Sequence, residues 1–193
     1  MISAIILAAG QSRRMGEPKM LLPWGHLTVI EHVVTAFLNA GIEEILVVTG
    51  GAHEQVEKAV DRYPVRKIHN LDYASGEMLS SLQCGLREMR EQVQATLIGL
   101  GDQPQVQERS IRAICDAYQE GISRLIVPSF QMKRGHPWLA ARSLWGDILA
   151  LKPSGTLRDF LNNHTNEIRY VNVDSPSILA DLDSPEDYQK SHP

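Results

Sequence analysis

Residues 7–19 read LAAGQSRRMGEPK, placing two glycines, the pair Arg13 and Arg14, and the cation of Lys19 directly after an apolar run. Glycines offer backbone N–H groups at close approach, and three cations on one short loop repel each other unless solvent or a polyanion neutralises them. The stretch therefore suits phosphate binding, with a solvated surface loop as the competing reading. Neither common phosphate cradle accounts for it. Gly10 and Gly16 have five residues between them, unlike GxGxxG, and Gly16 is followed by Glu17, where GxxxxGK[ST] requires lysine.

Three further stretches carry chemistry-bearing residues. In GLGDQP, Asp102 ends an apolar run and Pro104 turns the chain away, so the acid either starts a turn or faces a ligand. In NLDYASGEMLSSLQCG, Gly76 permits close backbone approach, while Ser80 and Ser81 can cap a helix or hydrogen-bond a ligand edge. In KRGHPWL, His136 lies between glycine and proline with Arg134 nearby, as either a structural histidine or a contact to an anionic ligand. Near the C-terminus, DSPSILADLDSPEDY supplies Asp174, Asp181, Asp183, Glu186 and Asp187. Ser184 and Pro185 read as N-cap and first residue of a helix, so Glu186 and Asp187 serve its dipole. Asp181 and Asp183 flank Leu182 and are expected to point to opposite sides, with only one of them facing a ligand.

The elements that must position these residues alternate in type. SAIILA, EEILVVTG, VRKIHN, ATLIGL and SRLIVPSF read as strands, separated by helical patterns such as TVIEHVVTAFLNAG, where Thr28 and Glu31 form a capping box and Gly41 a stop. This is the rhythm of one doubly wound, mostly parallel α/β sheet with helices on both faces. Beyond residue 130 it loosens: RGHPWLAARSLWGDILAL and GTLRDFLNNH read as helices around a loop, EIRYVNVD as a strand and SPEDYQ as a final helix. The expectation is a single domain over 1–193, with a ligand-binding part to about residue 130 and a second-substrate side beyond it. In open parallel sheets ligands bind past the carboxyl ends of the strands, where residues 7–19 and Asp102 fall.

Composition narrows the class. The chain has 193 residues and a formal net charge of −4 with mixed signs, which argues against a nucleic-acid or membrane-surface protein. Its two cysteines, Cys84 and Cys115, form no CxxC pair and suit a reducing compartment. The opening run MISAIILA falls short of the ~20 residues needed to span a bilayer and carries no basic lead. A cytoplasmic protein is expected.

LAAGQSRRMGEPK closely resembles the signature LAAGxSxRMGxxK of nucleotidyltransferases of the molybdenum cofactor type, and YASGEMLSSLQCGL, GDQP, RGHP and DLDSPEDY follow in that family's order. The resemblance covers nearly the whole chain and implies a nucleotide-diphospho-sugar transferase-like fold. It implies that Leu7, Ala8, Ala9 and Gly10 wrap base and ribose, that Arg14 and Lys19 grip the triphosphate with Lys19 at the α-phosphate, and that Arg13 is variable. It further implies base recognition by Gly76 with Ser80 or Ser81, Mg²⁺ ligation by Asp102 and Asp183, and acceptor binding by His136. Where the family carries GALR or GDxGAR, this chain reads PSGTLRDFL, which leaves the acceptor open.

The implied reaction moves CMP from CTP to the phosphate of a phosphorylated pterin cofactor, for delivery to a molybdenum hydroxylase apoenzyme. Two alternatives stand beside it: a guanylyl- or sugar-phosphate nucleotidyltransferase, and a non-catalytic maturation chaperone on the same fold.

Overall fold

In the computed structural model, the residues described are all but Arg13 and Gly76, with Glu77 described by its backbone alone. The parallel heart of the sheet is β1 (Ile2–Ala8), flanked by β4 (Glu44–Thr49) and β6 (Ala95–Leu100), with β5 (Arg66–His69) beyond β4. The strand order is β10-β7-β9-β6-β1-β4-β5, where β7 is Leu125–Phe130, β9 is Trp138–Ala141 and β10 is Ile168–Asn172. Strand β8 (Lys133–Arg134) pairs with β7 off this path, and β2 (Pro23–Trp24) and β3 (Leu27–Thr28) form a small separate ribbon.

Each central strand is buried on both faces, so alternate residues enter two different cores. On β1, Ala4, Ile6 and Ala8 pack with helices α1 (Val29–Asn39), α2 (His53–Ala59) and α4 (Glu108–Gln119). Ile5 and Leu7 face the other way, toward α3 (Glu77–Arg87), α5 (Trp145–Leu149) and α6 (Leu157–Asn163). Helix α1 starts as its sequence requires, the Thr28 N–H donating to Glu31 Oε2 at 2.8 Å. Cys84 and Cys115 are both free, and burial, seconded by Asp116, pushes the Cys115 thiol up to about 11.

One expectation fails in the fold. The alanine-rich stretch PWLAA, read as helix, is strand β9, and it inserts antiparallel between β6 and β7 near the middle of the sheet. Trp138, Leu139 and Ala140 are essentially inaccessible to solvent there. A run buried on both faces is apolar throughout and short, so periodicity does not separate strand from helix. Only α5 and α6 remain of the helices expected around it.

Candidate active site

Two close approaches bring the loops together at the carboxyl edge of the sheet. A Cβ on Gly50 would lie 2.5 Å from the Ala9 carbonyl oxygen and 2.8 Å from Tyr73 Cβ, so only glycine lets the ends of β1 and β4 and the 71–75 loop meet. The second approach is a peptide hydrogen bond, the Leu182 N–H donating to the Asp102 carbonyl at 3.1 Å. Leu182 is fully buried with Leu22, Trp24 and Val29, which anchors the acidic C-terminal stretch beside the end of β6.

The sequence 7–19 closes on itself around Ser12. Its Oγ accepts from the Lys19 N–H at 3.0 Å, its carbonyl from the Met15 N–H at 2.9 Å, and its φ of +49° lies in the left-handed region. Lys19 then begins a short 3₁₀ turn that aims its side chain inward. The ammonium hydrogen-bonds Asp102 Oδ2 and reaches Asp183 Oδ1 at 3.3 Å. Side-chain exposure is only 12% for Lys19 and 16% for Asp102. Burial works to lower the Lys19 pKa, but the charge and hydrogen bond of Asp102, followed by those of Asp183, outweigh it and hold the ammonium above its ordinary value. Arg14, 71% exposed, reaches the other oxygen of Asp183 at 2.9 Å.

Leu7, Ala9, Gly10, Lys19, Ser81, Asp102, Asp181 and Asp183 all line one cavity of about 450 Å³. Ala8 does not, because its side chain belongs to the core beneath the opposite face. Asp181 and Asp183 both line the wall, contrary to the expectation of opposite sides. In extended chain residues two apart share a side, so with Leu182 buried on one side both of its neighbours turn to the other, and the expectation misapplied the period of two. Asp181 is held by Gln103, whose Nε2 donates to it at 2.6 Å. Desolvation, then the nearby Asp102 charge, raises the Asp181 pKa against that hydrogen bond.

Ser80 and Ser81 lie inside α3 rather than at its cap, and buried Asn70 donates to both hydroxyls at 2.9 and 3.0 Å. Ser81 faces the cavity, whereas Ser80 lines a different depression bounded by His69 and Cys84. Gly76 and Arg13 lie outside the described residues. The sequence reading missed Asn70 and Tyr73, which also lines the cavity. An Asn shortly before the serines, at the end of a strand, was the available signal.

A second cavity of about 640 Å³ adjoins the first, and Met78 belongs to the walls of both. It contains His136, Arg134, Arg158 and Thr156 beside apolar Trp138, Leu157 and Leu161. The His136 loop is docked on the segment 176–179: its N–H donates to the Ile178 carbonyl at 3.0 Å, and a Cβ on Gly135 would fall 2.4 Å from the same oxygen. Burial depresses the imidazole pKa to about 4. At neutral pH His136 is thus an uncharged hydrogen-bonding group rather than a cation. Arg134 is the charged neighbour, held by Tyr170 Oη at 2.9 Å and Asn162 Oδ1 at 3.0 Å.

Asp102 and Asp183 form the donor set that suits a hard divalent cation. Their carboxylates converge on one positive charge at the cavity wall, and Mg²⁺ is commonly held by one or two carboxylates with substrate phosphates completing the shell. Among the described residues, no group of three or more His, Cys, Asp or Glu side chains could hold a metal. Substrate oxygens would have to supply the remaining ligands.

This sheet, with its glycine loop, lysine and paired carboxylates at the carboxyl edge, is that of the nucleotidyltransferases. A nucleotidyl transferase from Methanothermobacter thermautotroptrophicus superposes with a TM-score of 0.85 at 30% identity, covering 100% of this chain and 96% of that one. Residues 4–168 match the MobA-like NTP transferase domain, and the chain belongs to that family. It is 28% identical over 189 residues to the molybdenum cofactor cytidylyltransferase of Escherichia coli K12, covering 97% of this chain and 93% of the relative. It is also 30% identical over 192 residues to nicotine blue oxidoreductase of Paenarthrobacter nicotinovorans, covering 96% and 93%. Relatives this similar therefore carry different names, and specificity must be argued from the site.

Proposed function

We propose that this chain is a Mg²⁺-dependent nucleotidyltransferase that transfers CMP from CTP to the phosphate of a phosphorylated pterin cofactor, releasing pyrophosphate. The observation that carries the reading is the Lys19 ammonium gathered between Asp102 and Asp183, in a cavity that shares the Met78 wall with a second, cation-bearing cavity. The near full-length similarity to a molybdenum cofactor cytidylyltransferase supports the choice of base and acceptor.

The chemistry asks little covalent work of the protein. A phosphate monoester is already an ionised nucleophile near neutral pH, so no general base is needed. One of its oxygens attacks the α-phosphorus in line, the bond to the β-phosphate oxygen breaks, and pyrophosphate leaves with the electron pair. Alignment and charge neutralisation make up most of the catalysis. In this reading Lys19 neutralises charge at the α-phosphate, and Arg14 holds the outer phosphates from the exposed rim. Leu7, Ala9 and Gly10 contact the nucleoside, and Ser81, oriented by Asn70, reads the base. His136 donates a neutral hydrogen bond to the acceptor. Asp102 and Asp183 would hold Mg²⁺, which supplies Lewis-acid polarisation of the phosphates when bound.

The direct test offers each of the four NTPs with the molybdenum-free or molybdenum-loaded pterin cofactor and measures released pyrophosphate. CTP is expected to be preferred. Preference for GTP would remove the cytidylyl assignment, and complete inactivity with every NTP would favour a maturation chaperone on this fold.

A further inference from the structure

Two methionines line the acceptor cavity from different elements. Met132 is 95% exposed at the tip of the β7–β8 hairpin, and Met78, at the start of α3, is 40% exposed. The hairpin register pairs Phe130 with Lys133, which leaves Gln131 and Met132 as a two-residue loop. Their φ angles are +48° and +66°. Positive φ at both positions is the signature of a type I′ turn, which Asn-Gly ordinarily fills because larger side chains are strained there. The fold gains nothing from the Met132 side chain, since it is almost wholly in solvent. It is an apolar group held at the fold's expense on the rim of the cavity.

The remaining walls indicate what would occupy that space. Leu157 and Leu161 present apolar surface over the buried Trp138, while Arg134 and Arg158 supply positive charge. That combination suits an anion attached to an apolar ring. Polarisable thioethers favour aromatic edges and faces and adapt to their outline. Building on the transfer reading above, we propose that Met132 and Met78 clamp the flat heteroaromatic ring of the phosphorylated acceptor, making Met132 a specificity residue for the ring. Met78 also touches the nucleotide cavity, whereas Met132 lines only the acceptor side, so Met132 is the clean probe.

The test measures binding of hydroxymethylpterin monophosphate by its fluorescence, with glycerol phosphate as a ring-free competitor, using wild type, Met132→Gly and Met132→Leu. Met132→Gly should weaken pterin phosphate binding about three- to tenfold, the upper part of what a methionine–ring contact commands, and leave glycerol phosphate binding unchanged. Its Tm should equal or exceed that of wild type, because glycine relaxes the turn. Met132→Leu, which keeps the apolar bulk, should stay within about twofold of wild type. Unchanged pterin binding in Met132→Gly, an equal loss for glycerol phosphate, or a lowered Tm would each overturn the clamp. Binding is read without turnover, so the two readings fail separately. Loss of ring binding in a protein that transfers no CMP sinks the transfer reading alone. CMP transfer with wild-type ring affinity in Met132→Gly sinks the clamp alone.

Discussion

Lys19 and Asp102, 83 residues apart in the chain, meet as a largely buried ion pair, and the Lys19 ammonium reaches Asp183 as well. A cation fixed there before substrate arrives pays no reorganisation cost when charge develops on the α-phosphate. Lys19→Ala should therefore lower kcat by roughly 10²- to 10³-fold while changing the CTP KM far less. Steady-state kinetics checks this, with a thermal melt to separate the catalytic loss from instability caused by the unpaired Asp102. A variant that keeps most of its turnover would remove Lys19 from catalysis.

Arg14 is largely in solvent and meets the site through Asp183. In the proposed reading it binds the triphosphate rather than the transition state. Arg14→Ala should raise the CTP dissociation constant about tenfold, the scale of one charge-assisted contact, with kcat at saturation nearly retained. Calorimetric titration with a non-hydrolysable CTP analogue measures it directly, and parental affinity would show the cradle to be elsewhere.

Both C-terminal acids face the cavity, but their partners differ. Asp183 shares cations with Arg14 and Lys19, whereas Asp181 is occupied by the Gln103 amide. Asp183→Asn should raise the Mg²⁺ concentration needed for half-maximal turnover and depress the maximum, as Asp102→Asn should, and Asp181→Asn should do less. Titrating magnesium at saturating CTP ranks the three. A larger defect in Asp181→Asn would transfer the metal role to Asp181.

In the proposed reading the serine that reads the base is Ser81. Ser81 faces the cavity and Ser80 does not, although Asn70 donates to both. Ser81→Ala should reduce the ratio of CTP to GTP turnover, and Ser80→Ala should leave it unchanged. Equal effects, or none, would place base recognition on the backbone of residues 7–10.

Burial gives His136 a pKa of about 4, below the 6.5 of free histidine. Between those values the unfolded chain binds a proton that the folded chain refuses, so stability is complete above pH 6.5 and drains away as pH falls toward 4. The full shift is worth on the order of 3 kcal/mol. Urea unfolding at pH 7, 5 and 4 should show a steeper loss for wild type than for His136→Gln. Parallel pH curves would mean that the imidazole is not desolvated.

Much of this was legible in the sequence because it is local. The strand-then-helix rhythm, the Thr28–Glu31 capping box and the apolar run before residues 7–19 are each written within a few residues. Strand β9 was not, since a short apolar, alanine-rich run carries no period and its strand character comes from pairing with β6, far earlier in the chain, and with β7 across the β8 hairpin. The placement of Asp181 was hidden for a related reason. It depends on Leu182 filling a pocket made by Leu22, Trp24 and Val29, more than 150 residues earlier. Asn70 is similar: its place at a strand end shortly before the serines was a cue, but that its amide orients both of them is decided by how the next helix packs.

The central claim is that the two adjoining cavities join a nucleotide's α-phosphate to an acceptor phosphate. Incubating the protein with Mg²⁺, the phosphorylated pterin cofactor and CTP carrying radiolabel at either the α- or the γ-phosphate tests it most directly. The account predicts that the α-label appears in a dinucleotide product while the γ-label leaves in pyrophosphate, in equal amounts, and that Lys19→Ala slows both together. Product formation without α-label in the acceptor, or γ-label transferred in its place, would contradict it.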